Sequence, residues 1–146
     1  MLADNLKVLL ASTYAYYLKA KFFHWNIESP DFYQLHKFFD KIATDAYDAT
    51  DVIAEEIRTL ESYAPGSFER FAEISLIHGQ TKIPRASLML EELLADTQTM
   101  IDLVNQCFSD ATQENKQDIA NFMAEVLAKH QKWSWQLKSF LKVERG

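Results

Sequence analysis

Apolar residues recur every three to four positions along most of the chain, a spacing that is typical of amphipathic helices. This spacing predicts four long helices: about Asp4–Ile27, Pro30–Ser62, Pro84–Ser109, and a fourth that ends near Lys142. Asp110–Glu114 is predicted as the turn before the fourth helix. Because each helix carries one apolar stripe, the four are expected to pack with these stripes facing inward.

Cap and turn residues mark the boundaries between these helices. Ser29 is predicted to cap the second helix, with Pro30 in its first turn and Asp31 near the positive end of the helix dipole. Ala64–Gly66 is expected to stop that helix. Ser67 is then predicted to cap a short helix, FERFAEIS, in the crossover between the second and third long helices.

Composition indicates an all-α fold in a single domain over residues 1–146. Only three Gly and three Pro occur, and 48% of the residues are hydrophobic, so long uninterrupted helices are favoured over sheets. A chain of 146 residues is also long enough to bury a core. These features together predict a four-helix bundle with one short extra helix in the crossover.

Four metal-ligand residues lie on one stripe of the predicted second helix. His36 and Asp40, the first pair, are four residues apart, and so are Asp51 and Glu55, the second pair. Residues at this spacing stack on one helix face. Asp40 and Asp51 are eleven residues apart, and eleven residues make about three turns that rise roughly 16 Å, too far for short side chains to share an ion. One copy of this helix therefore cannot close a metal site.

A second copy of the same helix can close it. The two pairs are symmetric about a point beside Asp45, so antiparallel helices crossing there on a two-fold axis bring the first pair of each to the second pair of the other. The helix carries a separate apolar stripe, about a third of a turn away, for the subunit's own core. Its members are Phe32, Leu35, Phe39, Ile42, Ala46, Ala49, Ile53, Ile57 and Leu60. His24, at the end of the first helix, is a candidate fifth ligand.

These residues give the sequence a strong resemblance to the Dps-type mini-ferritins, the "DNA-binding protein from starved cells" family. The matching residues are His24-Trp25-Asn26, Pro30, Phe32, Leu35-His36, Asp40, Asp51 and Ala54-Glu55. The spacing His-x11-His-x3-Asp-x10-Asp-x3-Glu is complete. A looser match in AKHQKWSWQLKSF, near the C-terminus, extends the resemblance over nearly the whole chain.

The resemblance implies a ferritin-like four-helix bundle and an iron-oxidising function. In that family the residues that match His24, His36 and Asp40 join those that match Asp51 and Glu55 of a second subunit in a ferroxidase centre. The expected substrates are Fe(II) and, as preferred oxidant, hydrogen peroxide. The expected assembly is a hollow homo-oligomer, a dodecamer built from two-fold dimers, that stores ferric mineral and protects against oxidative damage.

The resemblance also implies a pore at the three-fold axes, lined by acids from the region before the fourth helix. Asp110, Glu114 and Asp118 are the candidates, and Glu114 and Asp118 are expected to share a helix face. Rings of carboxylates at a symmetry axis would attract Fe(II). The alternative is that these acids only complement the dipole at the start of a helix.

The five-ligand set suits iron, although zinc should bind it as well. Imidazole and carboxylate ligands favour Fe(II), Mn(II) or Zn(II), and the number of carboxylates would allow two metals. No His has Glu three positions before it, so the Glu-x-x-His pattern of in-bundle di-iron sites is absent. Glu56 stands where many family members carry Arg, which adds a negative charge beside the site.

Two other functions stay open beside the ferroxidase. One is a DNA-compacting structural protein, although the net charge of −6 and the absence of a Lys-rich tail make DNA binding unlikely or weak. The end of the fourth helix is basic, but cations there also complement the helix dipole. The residues are Lys129, Lys132, Lys138, Lys142 and Arg145. The other function is a metal buffer without turnover, and exposed salt-bridged stripes are the purely structural alternative.

The remaining titratable residues are expected to be structural. Cys107 cannot form an internal disulfide and is predicted to pack as a small hydrophobe. His130 is predicted to be a buried or interface residue, and His78 a solvated loop residue. The sequence contains no secretory signal and no apolar run of 18 residues, so a soluble, cytoplasmic protein without a membrane contact is expected.

Overall fold

The computed structural model describes residues 1–142, and five helices make up most of that range. They are α1 (Leu2–Asn26), α2 (Phe32–Thr59), α3 (Phe68–Ile74), α4 (Ala86–Gln113) and α5 (Gln117–Leu141). No strand occurs within residues 1–142. The all-α prediction, with a short helix between the second and third long helices, is therefore confirmed. Val143–Gly146, and with them Arg145, lie outside the described residues.

The four long helices form a bundle, and some pairs of helices pack much more closely than others. α1 packs closely against α2, α4 packs closely against α5, and α1 joins the two halves by its contact with α4. α3 lies against α1. α2 and α5 contact each other only sparsely, although they are neighbours in the bundle. The interior contains large side chains that are fully buried, among them Tyr16, Phe23, Phe39, Ile53 and Met100.

Polar contacts fix the position of α1 against α4. The Lys19 ammonium is almost completely buried and donates to the Asp96 carboxylate at 2.7 Å. Tyr16 and Thr97 form a buried hydrogen bond of 2.6 Å between their hydroxyl groups. Because a buried charge or hydroxyl without a partner is costly, these contacts favour one relative position of the two helices.

The start of α2 lies slightly later than predicted. The helix begins at Phe32, with Asp31 as its N-cap residue, and not at Pro30. Ser29 still stabilises this end, because its hydroxyl accepts the N–H of Asp31 at 3.0 Å. Most of the predicted apolar stripe is buried, but Phe32 is exposed and stacks on His36 instead of entering the core.

The prediction of a turn at Asp110–Glu114 is wrong, because α4 continues to Gln113. Asp110 is buried and accepts hydrogen bonds from the side-chain amides of Asn5 and Gln106, so its polarity is satisfied inside the bundle. The chain reverses instead at Asn115, whose φ of 58° is in the left-handed region that Asn tolerates. Glu114 and Asp118 consequently belong to different helical segments, and the expectation that they share one helix face is also wrong.

Other local predictions are confirmed. The Ser67 hydroxyl caps α3 by accepting the N–H of Arg70 at 3.2 Å. Cys107 and His130 are buried, and His78 is exposed. Burial raises the pKa of the Cys107 thiol to about 12, so this residue stays a protonated, unreactive thiol. Among the described residues, no helix is long and apolar enough to cross a membrane.

Candidate metal centre

The turn between α1 and α2 brings His24 and His36 into direct contact. Their rings are stacked, with centroids 3.9 Å apart and an interplanar angle of 17°. The ring of Phe32 stacks on His36 with a centroid separation of 4.9 Å. One ring from the end of α1 and two rings from the start of α2 thus form a single stack.

Two reciprocal hydrogen bonds fix the orientation of both imidazoles. Nδ1 of His24 contacts the main-chain carbonyl oxygen of His36 at 2.6 Å, and Nδ1 of His36 contacts the carbonyl oxygen of His24 at 2.8 Å. A carbonyl oxygen only accepts, so each Nδ1 must carry the proton. Each Nε2 is then left with a lone pair, the form in which neutral histidine binds a metal.

Asp40 lies beside these rings with one oxygen already engaged. Its Oδ1 accepts a hydrogen bond from the Lys21 ammonium at 2.6 Å and lies 3.9 Å from Nε2 of His24. The hydrogen bond from Lys21 is the main reason why the pKa of Asp40 is lower than usual, and the positive charge of the same ammonium adds to the effect. Asp40 is therefore a carboxylate at neutral pH, and a metal ion would have to compete with Lys21 for that oxygen.

Asp51 and Glu55 lie further along α2 and are exposed. Asp51 lines a surface groove of about 570 Å³ together with aromatic residues of α1, α2 and α3. These aromatic residues are Tyr14, Tyr47 and Phe71. Within residues 1–142, no three His, Cys, Asp or Glu side chains converge as a metal ion requires. A single subunit thus holds the predicted ligands in two separate groups, and their completion by a second copy stays a prediction.

The three candidate pore acids have different environments. Asp110 is buried, as described above. Glu114 is exposed, and its carboxylate accepts the main-chain N–H of Leu2 at 3.0 Å, which ties the start of α1 to the end of α4. Asp118 is exposed in the first turn of α5. The pore role is still a prediction, and this geometry favours Asp118.

Glu56, near the end of α2, lies close enough to Asp118, in the first turn of α5, for the charge of Asp118 to affect it. The pKa of Glu56 is raised, first by burial and then by the negative charge of Asp118. Its Oε2 is buried and has no hydrogen-bond partner among the described residues. The residue that departs from the Dps pattern therefore belongs to an acidic pair whose members come from two different helices.

Sequence reasoning missed Lys21, although a signal for it exists. Lys21 precedes His24 by three residues, which places the two on the same face of α1. A cation on the face of a predicted ligand is a candidate partner for the carboxylate of that site. The partner itself, Asp40, is on another helix, and only the fold brings the two together.

Comparisons with known proteins agree with this architecture. A family profile described as "Ferritin-like domain" matches residues 3–145. The "DNA protection during starvation protein" of Helicobacter pylori (strain J99) is 26% identical over 139 residues, which are 94% of this chain and 96% of that protein.

Two solved structures have closely similar folds. Dps from Thermosynechococcus elongatus superposes with a TM-score of 0.96 at 24% identity, covering 99% of this chain and 92% of that one. The Dps protein from Vibrio cholerae O1 superposes with a TM-score of 0.92 at 26% identity, covering 97% and 89%. Its structure is described as a member of "a broad superfamily of ferritin-like diiron-carboxylate proteins".

Removing the Lys21 ammonium is expected to strengthen metal binding. Lys21→Met frees Oδ1 of Asp40 and removes one positive charge, so Co(II), a probe without the redox chemistry of iron, should bind roughly three- to tenfold more tightly to the assembled protein. Lys41→Met is the matched control, since Lys41 is an exposed residue next to Asp40 in sequence. Calorimetric titration measures both affinities. Equal affinities in the two variants would show that Lys21 does not compete for the carboxylate.

Proposed function

The chain belongs to the ferritin-like family, within its Dps branch, and we propose that it oxidises Fe(II) at sites shared between two subunits and stores the ferric product in a hollow homo-oligomer. The observation that carries this proposal is the stacked pair of His24 and His36. Their reciprocal hydrogen bonds engage both Nδ1 atoms and leave both Nε2 atoms for a metal, and Nε2 of His24 lies 3.9 Å from the ionised Asp40. Such a group is suited to binding a divalent cation and incomplete without further ligands.

A second copy supplies the missing ligands in this proposal. Asp51 and Glu55 are exposed, and the groove beside Asp51 is lined by aromatic residues, as expected for a surface that a partner covers. A two-fold axis near Asp45 would place these carboxylates against His36 and Asp40 of the other copy. Two equivalent sites per dimer follow from the symmetry. The dodecameric shell is expected from the family resemblance.

The charges of the proposed site suit iron oxidation. Two neutral imidazoles and three carboxylates would surround the metal, and the carboxylates stabilise Fe(III) more strongly than Fe(II) because its charge is higher. With hydrogen peroxide as oxidant, two Fe(II) ions give up one electron each, the O–O bond breaks, and two protons complete two water molecules. Removal of Fe(II) together with peroxide would limit oxidative damage. Zn(II) is expected to bind the same ligands without turnover.

Glu56 and Asp118 suggest where Fe(II) enters. A cation between the two carboxylates would relieve their repulsion and give the buried oxygen of Glu56 a partner. Glu56 directly follows Glu55 on α2, so this acidic pair lies next to a proposed iron ligand. We propose that Asp118 lines the passage for iron and that Glu56 lies along the same path.

DNA compaction is the second candidate function. Names of relatives favour it, because they include "DNA protection during starvation protein" and "Nutrient stress-induced DNA-binding protein". The net charge of −6 opposes it, since affinity for DNA depends largely on the neutralisation of phosphates by basic residues. Four exposed lysines on and just after α5 are the cations that would carry weak binding. They are Lys129, Lys132, Lys138 and Lys142.

Complementation between two inactive variants tests the shared site. His36→Ala and Asp51→Ala should each abolish fast Fe(II) oxidation by peroxide, because each removes one ligand from every site. In dimers that contain one subunit of each kind, one of the two sites keeps all its ligands. Random co-assembly in equal amounts should therefore restore about a quarter of the wild-type rate. Stopped-flow absorbance of the ferric product measures it.

The controls for complementation are His78→Ala and Asp102→Ala, which change an exposed His and an exposed Asp far along the chain from α2. Both should oxidise Fe(II) at the wild-type rate. No recovery of activity in mixed dimers, verified by mass spectrometry of differently tagged subunits, would exclude a site shared between subunits.

Asp118→Asn should slow iron uptake without affecting assembly. The variant removes one carboxylate per subunit, and therefore every Asp118 carboxylate of each ring at the proposed passage, so both the uptake rate and its dependence on ionic strength should decrease. Asp102→Asn is the charge-matched control and should behave as wild type. If Asp118→Asn takes up Fe(II) at the wild-type rate at low salt, Asp118 serves only to start α5.

The assembled protein should not retain duplex DNA at physiological salt. Its net negative charge repels phosphates, and the cationic contribution of the α5 lysines is screened at about 150 mM salt. A gel-shift titration measures retention, and a low-salt lane shows whether the lysines bind weakly. A clear shift at physiological salt would support the DNA-compacting function.

A further inference from the structure

Besides Oε2 of Glu56, two buried side-chain atoms have no hydrogen-bond partner within residues 1–142, and both of these belong to residues that line one cavity. They are Oγ1 of Thr13 on α1 and Nδ1 of His130 on α5. Thr13 is 2% exposed and His130 is 6% exposed, so bulk solvent does not satisfy them. Leaving a buried hydroxyl or imidazole nitrogen unpaired costs about 1–3 kcal/mol of folding free energy. Two such atoms in one cavity therefore point to a bound molecule that forms hydrogen bonds with them.

The cavity exists because α2 and α5 do not close against each other. α2 presents the small side chains of Ala46 and Ala49 there, and the contact between the two helices is sparse. The space that remains is about 200 Å³, and we call it the His130 cavity. For comparison, an apolar protein cavity of about 150 Å³ holds a benzene molecule.

Most of the lining is apolar and partly aromatic. Tyr16 and Trp133 contribute rings, and Ile42 and Val126 contribute aliphatic walls. The hydroxyl of Tyr16 is already bonded to Thr97. Water molecules filling the whole space would therefore lack partners on most sides, whereas the ring of a ligand would pack against these walls.

Charge restricts the kind of molecule that the cavity accepts. Its rim carries the acidic residues Asp45, Asp48 and Glu125 and the basic residue Lys129, so anions are disfavoured. Burial lowers the pKa of His130 to about 4, and the imidazole inside is neutral at physiological pH. Among the described residues, the acids that line the cavity are not buried with His130, so they are not placed to hold a metal cation inside, and neutral molecules are the fitting class.

We propose that the His130 cavity binds a neutral, single-ring aromatic molecule that carries one hydroxyl group, of the phenol class. The hydroxyl group donates to one unpaired atom and accepts from the other, which satisfies His130 and Thr13 together. The ring occupies the apolar space between α2 and α5. All residues that line this site belong to one subunit, and none of the five proposed metal ligands is among them.

Calorimetric titration of the assembled protein with three probes of similar size tests the proposal. Phenol has the ring and the hydroxyl, toluene has a methyl group in place of the hydroxyl, and benzoate is an anion. Phenol should bind at least fivefold more tightly than toluene, because only phenol can satisfy both polar atoms, and benzoate should not bind.

Variants locate the binding. Thr13→Val keeps the side-chain shape and should weaken phenol binding about five- to tenfold while toluene binding stays the same. His130→Leu should likewise remove the preference for phenol. Ala49→Leu fills the cavity and should abolish binding of both probes. His78→Leu, a change of an exposed histidine in a loop, is the matched control and should bind phenol as wild type does.

Circular dichroism and mass measurements establish that each variant folds and assembles. Thr13→Val, being nearly isosteric, keeps the test valid even if His130→Leu does not fold. The proposal is overturned if wild type does not bind phenol, if phenol and toluene bind equally, or if Thr13→Val keeps the wild-type preference. In those cases the space is a hydrated or adventitious cavity.

Discussion

Two hydrogen bonds run in opposite directions between the end of α1 and the first turns of α2, each from an imidazole of one helix to a main-chain carbonyl of the other. They set the angle of the turn, fix the tautomers of His24 and His36, and stack the two rings. Each such bond contributes only about 1 kcal/mol to stability. Their larger effect is on chemistry, because a free Nε2 on each ring is what makes this turn a candidate metal centre.

The length of α2 determines the rest of the proposed function. Its two ligand pairs share a face but are separated by roughly 16 Å, so a single subunit has half a site at each of two places. In the proposed dimer, two-fold symmetry places the first ligand pair of each subunit against the second pair of the other. Lys21 fits this account, since its ammonium pairs with Asp40, one of the carboxylates that a metal ion would bind.

Features that depend on local sequence were predictable. The periodicity of α2, the Ser67 cap and the spacing of the ligand residues are properties of neighbours in the chain. The structure has α2 and α3 in the predicted regions, although α2 begins two residues later and ends three residues earlier than predicted. Features that depend on contacts between residues far apart in the sequence were not predictable. The α4 helix continues through Asp110, whose buried carboxylate accepts a hydrogen bond from Asn5, more than one hundred residues earlier. The proximity of Glu56 to Asp118 is likewise a consequence of tertiary packing. The position of His130 on the apolar stripe of α5 predicts its burial. The cavity beside it depends on small residues of α2, Ala46 and Ala49, which that stripe does not indicate.

The most direct test of the shared site is an anomalous-difference electron-density map from crystals of the assembled protein that have been soaked in Fe(II) without oxygen. The account predicts a peak at each two-fold interface, bound by Nε2 of His24 and His36 and by Asp40 of one subunit, together with Asp51 and Glu55 of the other. A peak whose protein ligands all belong to one chain, or no peak at the two-fold interface, would contradict it.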